Sequence, residues 1–370
     1  MRPLYVAATG QHVGKTTSTL GIVNTIKDLG YSVGYCKPVG QEHLTIGGQI
    51  IDKDVTLFKQ TLKFKIDGKL HSPVVIAKGV TKQFIDHPEE FHFKEAILNS
   101  ASVLQERHDM VIYEGTGHPG VGAVADLSNA QVAKMLNAGV IMIAEGGIGS
   151  TIDELALSIS QFQLYKVPII GVIVNKVLPE KRDMVAHYVG KKLNKMGLDL
   201  LGVLPFDKRM SFPIMGTINN AISGRCISND KRLDNRIEDI VAGSLVDVKE
   251  FSTFKNILLV VSVKRLGDAI DKVKSITKLK NLKHSPLSGI VLTGDGGHSL
   301  ITGSDIQNDY IEEHKIPVIA TQLDTYGSVI KISRIEVKIN TRTPWKTKRA
   351  IQLINENVEV GTILQKLELL

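Results

Sequence analysis

The fold of this chain is decided by one stretch near its start, Ala8-Thr9-Gly10-Gln11-His12-Val13-Gly14-Lys15-Thr16-Thr17. An apolar run, residues 4–8, leads into it, and a helix-compatible run, residues 17–27, follows it. Strand, glycine loop and helix in this order form the setting in which a Gly-Lys-Thr motif binds phosphate. Small residues let backbone N–H groups turn towards an anion, and the helix N-terminus adds partial positive charge. The stretch is therefore predicted to be a phosphate-binding loop.

Residues of this loop have separate expected roles. The Lys15 ammonium would reach the terminal phosphates, and the Thr16 hydroxyl would ligate Mg²⁺. One position departs from the strict pattern, because Thr9 stands where the first glycine is expected and Gly10 comes next. The residues predicted to bind the nucleotide here are Gly10, Gln11, His12, Val13, Gly14, Lys15, Thr16 and Thr17.

Composition excludes several classes of protein. The chain has 370 residues, enough for about two domains, and no stretch approaches the roughly 20 apolar residues that span a membrane. Cys36 and Cys226 form no Cys-x-x-Cys pair, which argues against a disulfide framework and a thiolate zinc site. The net charge of +7 comes from scattered lysines, and aromatics are only 5%, so nucleic acid is not an expected partner. We expect a cytoplasmic protein without a membrane partner, since the N-terminus enters a strand without a secretory signal.

Apolar and amphipathic runs alternate through the first 210 residues. The strands are predicted at 3–8, 32–37, 109–114, 139–144, 168–175 and 199–204. The helices are predicted near 15–29, 89–107, 128–138, 151–165 and 180–197. Near-continuous Val/Ile/Leu strands suit a parallel sheet that is covered on both faces. The predicted fold is α/β: a doubly wound, mostly parallel P-loop sheet with a second, smaller α/β domain.

A change of character around 205–216 marks the predicted boundary between the domains. The first domain is expected over 1–210 and the second over 211–355, where apolar runs at 257–263, 288–293 and 316–320 alternate with helical stretches. The tail, 356–370, has the spacing of an amphipathic helix, which would pack on its own domain or on a neighbour. A fragment of residues 1–212 is accordingly expected to fold alone and to bind ATP.

Candidate site residues follow several of the predicted strands. Because ligands of parallel sheets bind at the carboxyl ends of strands, these residues are expected at one edge. Glu114 ends an apolar strand and would hold Mg²⁺ beside the phosphate loop. Gly115 opens a glycine-rich loop, 115–122, that allows close approach of a ligand or forms a mobile cover. His118 in that loop would contact a phosphate or a substrate, or serve only as a turn residue.

Three further positions leave two interpretations open. Lys37 would face an anionic substrate or the γ-phosphate, or it is an exposed lysine. An acid of the Asp52-Lys53-Asp54 segment would supply a Mg²⁺ contact or cap the following helix. Asn175 would read a purine edge with its amide, or it is a strand-end turn residue. Since Leu178 stands where guanine-binding proteins have Asp, adenine is favoured over guanine.

Taken together, these stretches resemble a known family. The first 210 residues are similar to the dethiobiotin synthetase-like group of P-loop proteins, and more closely to the N-terminal domain of long bacterial phosphotransacetylases and their stand-alone relatives. The resemblance is carried by residues 8–17, Cys36-Lys37-Pro38-Val39, 52–54, the run 114–130, Glu145-Gly146-Gly147-Ile148-Gly149 and Asn175-Lys176-Val177. Residues after 210 resemble, more loosely, a DRTGG domain, through Phe212-Pro213, 258–268, 292–294, 317–319 and 324–326.

The resemblance implies ATP and Mg²⁺ as cofactors and a homo-oligomer as the assembly. It places Thr16, Asp54 and Glu114 around Mg²⁺, Asn175 at adenine, and Lys15 and Lys37 in catalysis. It supports an enzyme that phosphorylates or activates a small carboxylate- or carbamate-type substrate. The alternative is a nucleotide-responsive regulatory or partner-binding module without substantial turnover. Acetyl transfer is not expected, because phosphotransacetylases use a further C-terminal catalytic domain.

Overall fold

The structure is a computed structural model that describes residues 1–243, 254–294, 301–302 and 306–369. The chain divides into two compact units. The first unit combines Met1–Asp207 with the segment that starts at Ile339, and the second unit is Lys208–Lys338. The second unit is thus an insertion within the chain of the first.

The first unit is built on a parallel sheet. Its strands, with those of two small sheets, are β1 (Leu4–Ala8), β2 (Val33–Cys36), β3 (Val39–Gly40), β4 (His43–Ile46), β5 (Gln49–Asp52), β6 (Val74–Val75), β7 (Met110–Glu114), β8 (Gly139–Glu145), β9 (Ile169–Val177) and β10 (Leu200–Pro205). Among the described residues the main sheet has six strands, in the order β10-β9-β8-β1-β7-β2, and all its pairs are parallel. β3 pairs with β6, and β4 with β5 in an antiparallel hairpin.

Helices connect these strands. They are α1 (Lys15–Asp28), α2 (Lys53–Leu62), α3 (Gly68–His71), α4 (Val80–Asp86), α5 (Phe93–Arg107), α6 (Asn129–Met135), α7 (Gly149–Leu164) and α8 (Arg182–Lys195). The strands of the main sheet are buried almost throughout, as expected for a sheet covered on both faces. The predicted α/β class is confirmed, and every predicted strand and helix of this part corresponds to an observed element.

The second unit has a sheet of its own. Its strands are β11 (Arg225–Ser228), β12 (Asp239–Ala242), β13 (Ile257–Ser262), β14 (Leu287–Thr293) and β15 (Val318–Thr321). Its helices are α9 (Met215–Ala221), α10 (Leu266–Leu279), α11 (Asp309–Glu313) and α12 (Thr325–Ser333). In the described part of this unit the strand order is β11-β15-β14-β13-β12, with β11 antiparallel and the others parallel. Two apolar clusters, one with α10 and α11 and the other with α9 and α12, form its core.

After the second unit, the chain returns to the first as α13 (Pro344–Asn357) and α14 (Val360–Leu369). α13 packs along α1 so closely that a Cβ on Gly21 would lie 2.7 Å from the Cβ of Ile354. α14 packs on β9 and β10 and buries Val360, Ile363, Leu364 and Leu367. The tail therefore packs on its own chain, which was one of the two interpretations left open by its sequence.

This packing moves the boundary expected from the sequence. The second domain was expected to extend to residue 355, but α13 belongs with the phosphate-loop unit because its buried face covers α1. A fragment of residues 1–212 would lack that cover, so the expectation that it folds alone loses its basis. The last residue of the expected tail, 370, lies outside the described residues. Among those described, no helix combines the length and apolar character needed to cross a lipid bilayer.

Candidate functional site

The candidate site lies at the carboxyl edge of the main sheet. β1 runs into the loop 9–14, and β7 ends at Glu114. Lys37 directly follows β2, and Asn175 lies two residues before the end of β9. Because β1, β2, β7 and β9 belong to one parallel sheet, their carboxyl ends bring these residues to the same edge, as the sequence predicted.

The phosphate loop depends on one glycine for its shape. Gly14 has φ +96°, which disfavours any side chain, and a Cβ there would collide with the Asn175 amide, 3.3 Å from Cγ. α1 begins directly afterwards at Lys15, with the Ser18 N–H donating to Gly14 O at 2.9 Å. The loop and the helix N-terminus therefore adopt the arrangement expected of an anion-binding turn.

Asn175 braces this loop from β9, which is separated from β1 by β8. Its Nδ2 donates to Val13 O at 2.8 Å, and its Oδ1 accepts from the Lys176 N–H at 2.8 Å. One N–H and one lone pair of the amide remain beyond these contacts. Recognition of adenine by Asn175 stays a prediction, and it would have to use this remaining N–H and lone pair.

Lys15 points into the protein. Its Nζ donates to Gly117 O, at 3.0 Å, in the glycine-rich loop after β7. Burial lowers the pKa of Lys15 to about 8, although the Glu114 charge opposes the shift. The contact with Gly117 joins the first residue of α1 to the glycine-rich loop after β7.

Thr16 and Glu114 form the pair expected of a Mg²⁺ site. Thr16 Oγ1 donates to Glu114 Oε1 at 2.6 Å, and Tyr35 OH donates to Oε2 at 3.4 Å. Glu114 is fully buried. Burial raises its pKa to about 7, against the lowering effect of Lys37. A cation beside this buried carboxylate would favour its charged form and lower the pKa again.

Lys37 is buried, so the interpretation of it as an exposed lysine is wrong. Its Nζ forms ion pairs with Asp54 and, at 3.4 Å, with Asp52 Oδ1. Burial alone would lower the pKa of Lys37, but the charges of Asp54, Glu114 and Asp52 outweigh it and hold the pKa above the ordinary lysine value. The lysine and the two acids form one charge cluster next to Glu114.

Asp52 and Asp54 have different roles. Asp52 is the N-cap of α2, since its Oδ1 accepts from the Asp54 N–H at 3.0 Å. Its Oδ2 accepts from the Gln41 N–H at 3.2 Å, so both oxygens are engaged within the chain. The Asp54 side chain is 25% exposed and faces Lys37. Capping therefore explains Asp52, and Asp54 is the acid of this segment that a metal ion would reach.

The other predicted loop residues line the same edge. Gln11 and His12 are exposed, Val13 is buried, and Gly10 and Thr17 are partly exposed. Gly115 is buried, and His118 accepts at Nδ1 from the Gly120 N–H at 3.2 Å, as a turn residue does. Thr9, at the position that departs from the strict pattern, donates to Glu154 Oε2 at 3.2 Å.

The donor set fits a magnesium nucleotide. Mg²⁺ takes oxygen ligands and is usually held by one or two carboxylates together with substrate phosphates. Thr16, Asp54 and Glu114 offer one hydroxyl and two carboxylates around Lys15 and Lys37. Within the described residues there is no group of three or more His, Cys, Asp or Glu placed to hold a metal ion by themselves. A site of this kind would need the phosphates to complete it.

Sequence reasoning missed two residues of the site. Tyr35 lies in the middle of a buried strand and reaches Glu114, and Asn129 at the start of α6 holds the glycine-rich loop. Nothing in the local pattern of Val33-Gly34-Tyr35-Cys36 distinguishes a core tyrosine from one that faces a carboxylate. Asn129 lies in the long run 114–130 that carries the family resemblance, and this was the available signal.

Comparison with known proteins finds similarity in the same region. Residues 2–213 match the family model AAA_26, described as an AAA domain. The phosphate acetyltransferase of Nitrosomonas europaea is 22% identical over 302 residues, which cover 80% of this chain and 42% of that protein. The ATP-dependent dethiobiotin synthetase of Clostridium kluyveri is 27% identical over 182 residues, which cover 47% of this chain and 73% of that protein.

These matches are partial. The chain spans 42% and 52% of the length of the first two phosphate acetyltransferases that it matches. Among solved structures, the MinD cell division protein of Aquifex aeolicus is 14% identical, with a TM-score of 0.36, and the match covers 57% of this chain and 85% of that one.

Proposed function

The chain belongs to the AAA domain family through its residues 2–213, and from this premise we propose that it binds ATP with Mg²⁺. The observation that carries the proposal is the 2.6 Å contact between Thr16 Oγ1 and Glu114 Oε1 beside Lys15. It brings a helix-start hydroxyl and a strand-end carboxylate to one point, as magnesium-nucleotide sites require.

Each group has a role in binding. The loop 9–14 and the N-terminus of α1 would surround the phosphates, and Lys15 would supply positive charge to them. Thr16, Asp54 and Glu114 would hold Mg²⁺, which when bound neutralises charge that develops on the phosphates. Adenine is favoured because Leu178 replaces the Asp that selects guanine.

We further propose that the ATP serves to phosphorylate or activate a small carboxylate- or carbamate-type substrate at Lys37. The curated relatives include an ATP-dependent dethiobiotin synthetase, and Lys37 lies beside the Mg²⁺ acids in this chain. Its raised pKa keeps it positively charged, so it would bind and orient an anionic group. Gln41 and Glu42 follow where dethiobiotin synthetases carry small residues, so their diamino acid substrate is not proposed here.

A second function is favoured by a specific observation. Lys37 is paired with two carboxylates. Along the sequence, the second unit is inserted after β10 and before α13, and α13 covers α1. A nucleotide-responsive regulatory module, with residues 208–338 as a DRTGG-like domain, would use such an arrangement. The resemblance also supports a homo-oligomer.

Turnover decides between the two functions. Phosphate release from ATP·Mg²⁺ is measured with and without a panel of small mono- and dicarboxylates and carbamates, using Lys37→Met as the control. Turnover that depends on an added acid and is lost in Lys37→Met supports the enzyme. Tight ATP binding with negligible turnover under every condition supports the module. Absence of ATP binding contradicts both.

A further inference from the structure

Asn129 occupies a fixed position at the start of α6. Ser128 caps this helix, accepting from the Gln131 N–H at 3.3 Å, while the Gln131 side chain accepts from the Ser128 N–H at 3.0 Å. Asn129 is therefore the first residue of a doubly capped helix. Its side chain is 3% exposed and points away from solvent into the glycine-rich loop.

The Asn129 amide uses its whole hydrogen-bonding capacity. Oδ1 accepts from Tyr5 OH at 2.8 Å and from the Thr116 N–H at 3.0 Å. Nδ2 donates to Thr116 O at 2.8 Å and to His118 O at 2.7 Å. Two acceptor and two donor contacts are all that one amide offers, and no isosteric side chain reproduces them.

These contacts enclose Gly117. Asn129 binds the backbone on both sides of it, at Thr116 and at His118, and Gly117 itself has φ +59°. The carbonyl oxygen of Gly117 is the one that accepts from Lys15 Nζ. The same amide also closes the space at Gly115, where a Cβ would lie 3.1 Å from Asn129 Cγ. One side chain thus fixes the backbone between Glu114 and the acceptor of the phosphate-loop lysine.

We propose that Asn129 is a positioning residue for Lys15: it holds the turn 116–118 so that the Gly117 carbonyl orients the ammonium towards the phosphate site. The inference rests on the proposed binding of ATP. The partly buried ammonium of Lys15 needs a hydrogen-bond partner. A partner that is already fixed reduces the conformational entropy lost when the nucleotide binds. Without Asn129 the turn loosens, and binding then has to order both the turn and the lysine.

Asn129→Asp is the informative variant. It keeps the oxygen that accepts from Tyr5 and Thr116 but places a second oxygen against the carbonyls of Thr116 and His118. Ser128→Ala is the matched control, because it weakens the same helix start without touching the turn. Hydrogen exchange of residues 116–118 is measured without nucleotide, and ATP·Mg²⁺ affinity is measured by calorimetry.

The expected result is faster exchange at 116–118 and an affinity about 5- to 150-fold weaker in Asn129→Asp, with neither change in Ser128→Ala. ATP affinity is also measured in Lys15→Met and in the double variant with Asn129→Asp, by competition with a labelled nucleotide. The losses of binding free energy in the two single variants should not add in the double variant, because both substitutions act on one contact. Unchanged exchange, an affinity equal to that of Ser128→Ala, or fully additive losses would overturn the inference. If the wild type does not bind ATP, the proposed function is contradicted. Faster exchange at 116–118 in Asn129→Asp would in that case still support the role of Asn129 in the turn.

Discussion

Thr16 and Glu114 lie 98 residues apart in sequence, yet the hydroxyl of the first donates to the carboxylate of the second at 2.6 Å. Thr16 lies in the first turn of α1 and Glu114 ends β7, so the contact joins a helix N-terminus to a strand that pairs with β1. A divalent cation placed between them would replace this hydrogen bond by two oxygen ligands.

Lys15→Ala should lose nucleotide affinity while the fold stays intact. Lys15 supplies charge to the phosphates, and charge-assisted hydrogen bonds contribute about 1.5–3 kcal/mol each. Lys27→Ala, at the far end of the same helix, is the control and should bind like the wild type. Calorimetry with ATP measures both, and equal affinities in all three proteins would remove Lys15 from the site.

Glu114→Gln should reduce the effect of Mg²⁺ on ATP binding by about tenfold or more, because it removes a charged ligand and keeps the shape. The control is Glu145→Gln, which changes an exposed carboxylate at the end of β8 that pairs with Lys176. ATP titrations with Mg²⁺ and with EDTA give the ratio of affinities. If Mg²⁺ tightens ATP binding equally in Glu114→Gln and the wild type, Glu114 is only a strand-end acid.

Wild-type protein should prefer ATP to GTP by roughly 1–3 kcal/mol, as expected for a polar pairing lost in a buried site. Asn175→Ala should weaken the binding of both nucleotides to a similar degree, because its amide braces the phosphate loop at Val13. Competition titrations with labelled ATP measure the four affinities. A selective loss of ATP binding would instead support the base-reading role, and equal displacement of ATP by GTP in the wild type would contradict adenine selection.

Ile354→Ala should lower the free energy of unfolding by about 2–5 kcal/mol, the range for truncating a buried isoleucine. Ile354 is 1% exposed and packs against Gly21 of α1. Leu369→Ala, at a position that is 87% exposed, is the control and should change little. Urea unfolding followed by circular dichroism gives both values. A small effect of Ile354→Ala would mean that α13 contributes little to the phosphate-loop unit.

Stability should rise with pH above neutrality because of Lys346. Burial lowers the pKa of this α13 lysine from 10.5 to about 7. Between those values the unfolded chain binds a proton that the folded chain does not, so raising the pH favours the folded state. The gain from pH 7 to pH 9 is at most about 2.7 kcal/mol for one proton. Urea titrations at both pH values should show a smaller rise in Lys346→Met than in the wild type, and parallel behaviour of the two proteins would contradict the assignment.

The sequence predicted the main sheet and much of its carboxyl edge because both follow from local patterns. β7 and Glu114 were found from an apolar run that ends in an acid, and α1 was predicted to begin at Lys15, where it does. Such patterns are set by neighbours in the chain. The parallel arrangement then follows from the alternation of strands and helices.

Other parts of the site depend on contacts that local patterns do not encode. The local pattern left Asp52 and Asp54 equivalent, and only the family resemblance singled out Asp54. The start of α2 makes Asp52 the cap, while Asp54 pairs with Lys37. The role of Asn129 depends on four atoms from residues 5, 116 and 118. The return of α13 to α1 depends on packing between residues more than 300 positions apart, as Gly21 and Ile354 show.

The position of α13 and α14 also affects the order in which the protein folds during synthesis. Domains usually fold from the N-terminus as the ribosome releases them. Here the outer face of α1 stays uncovered until the inserted unit has been translated and the tail has emerged. The nascent phosphate-loop unit would thus expose apolar surface throughout that interval, as a substrate for chaperones, and would complete its core only after α13 and α14 have emerged.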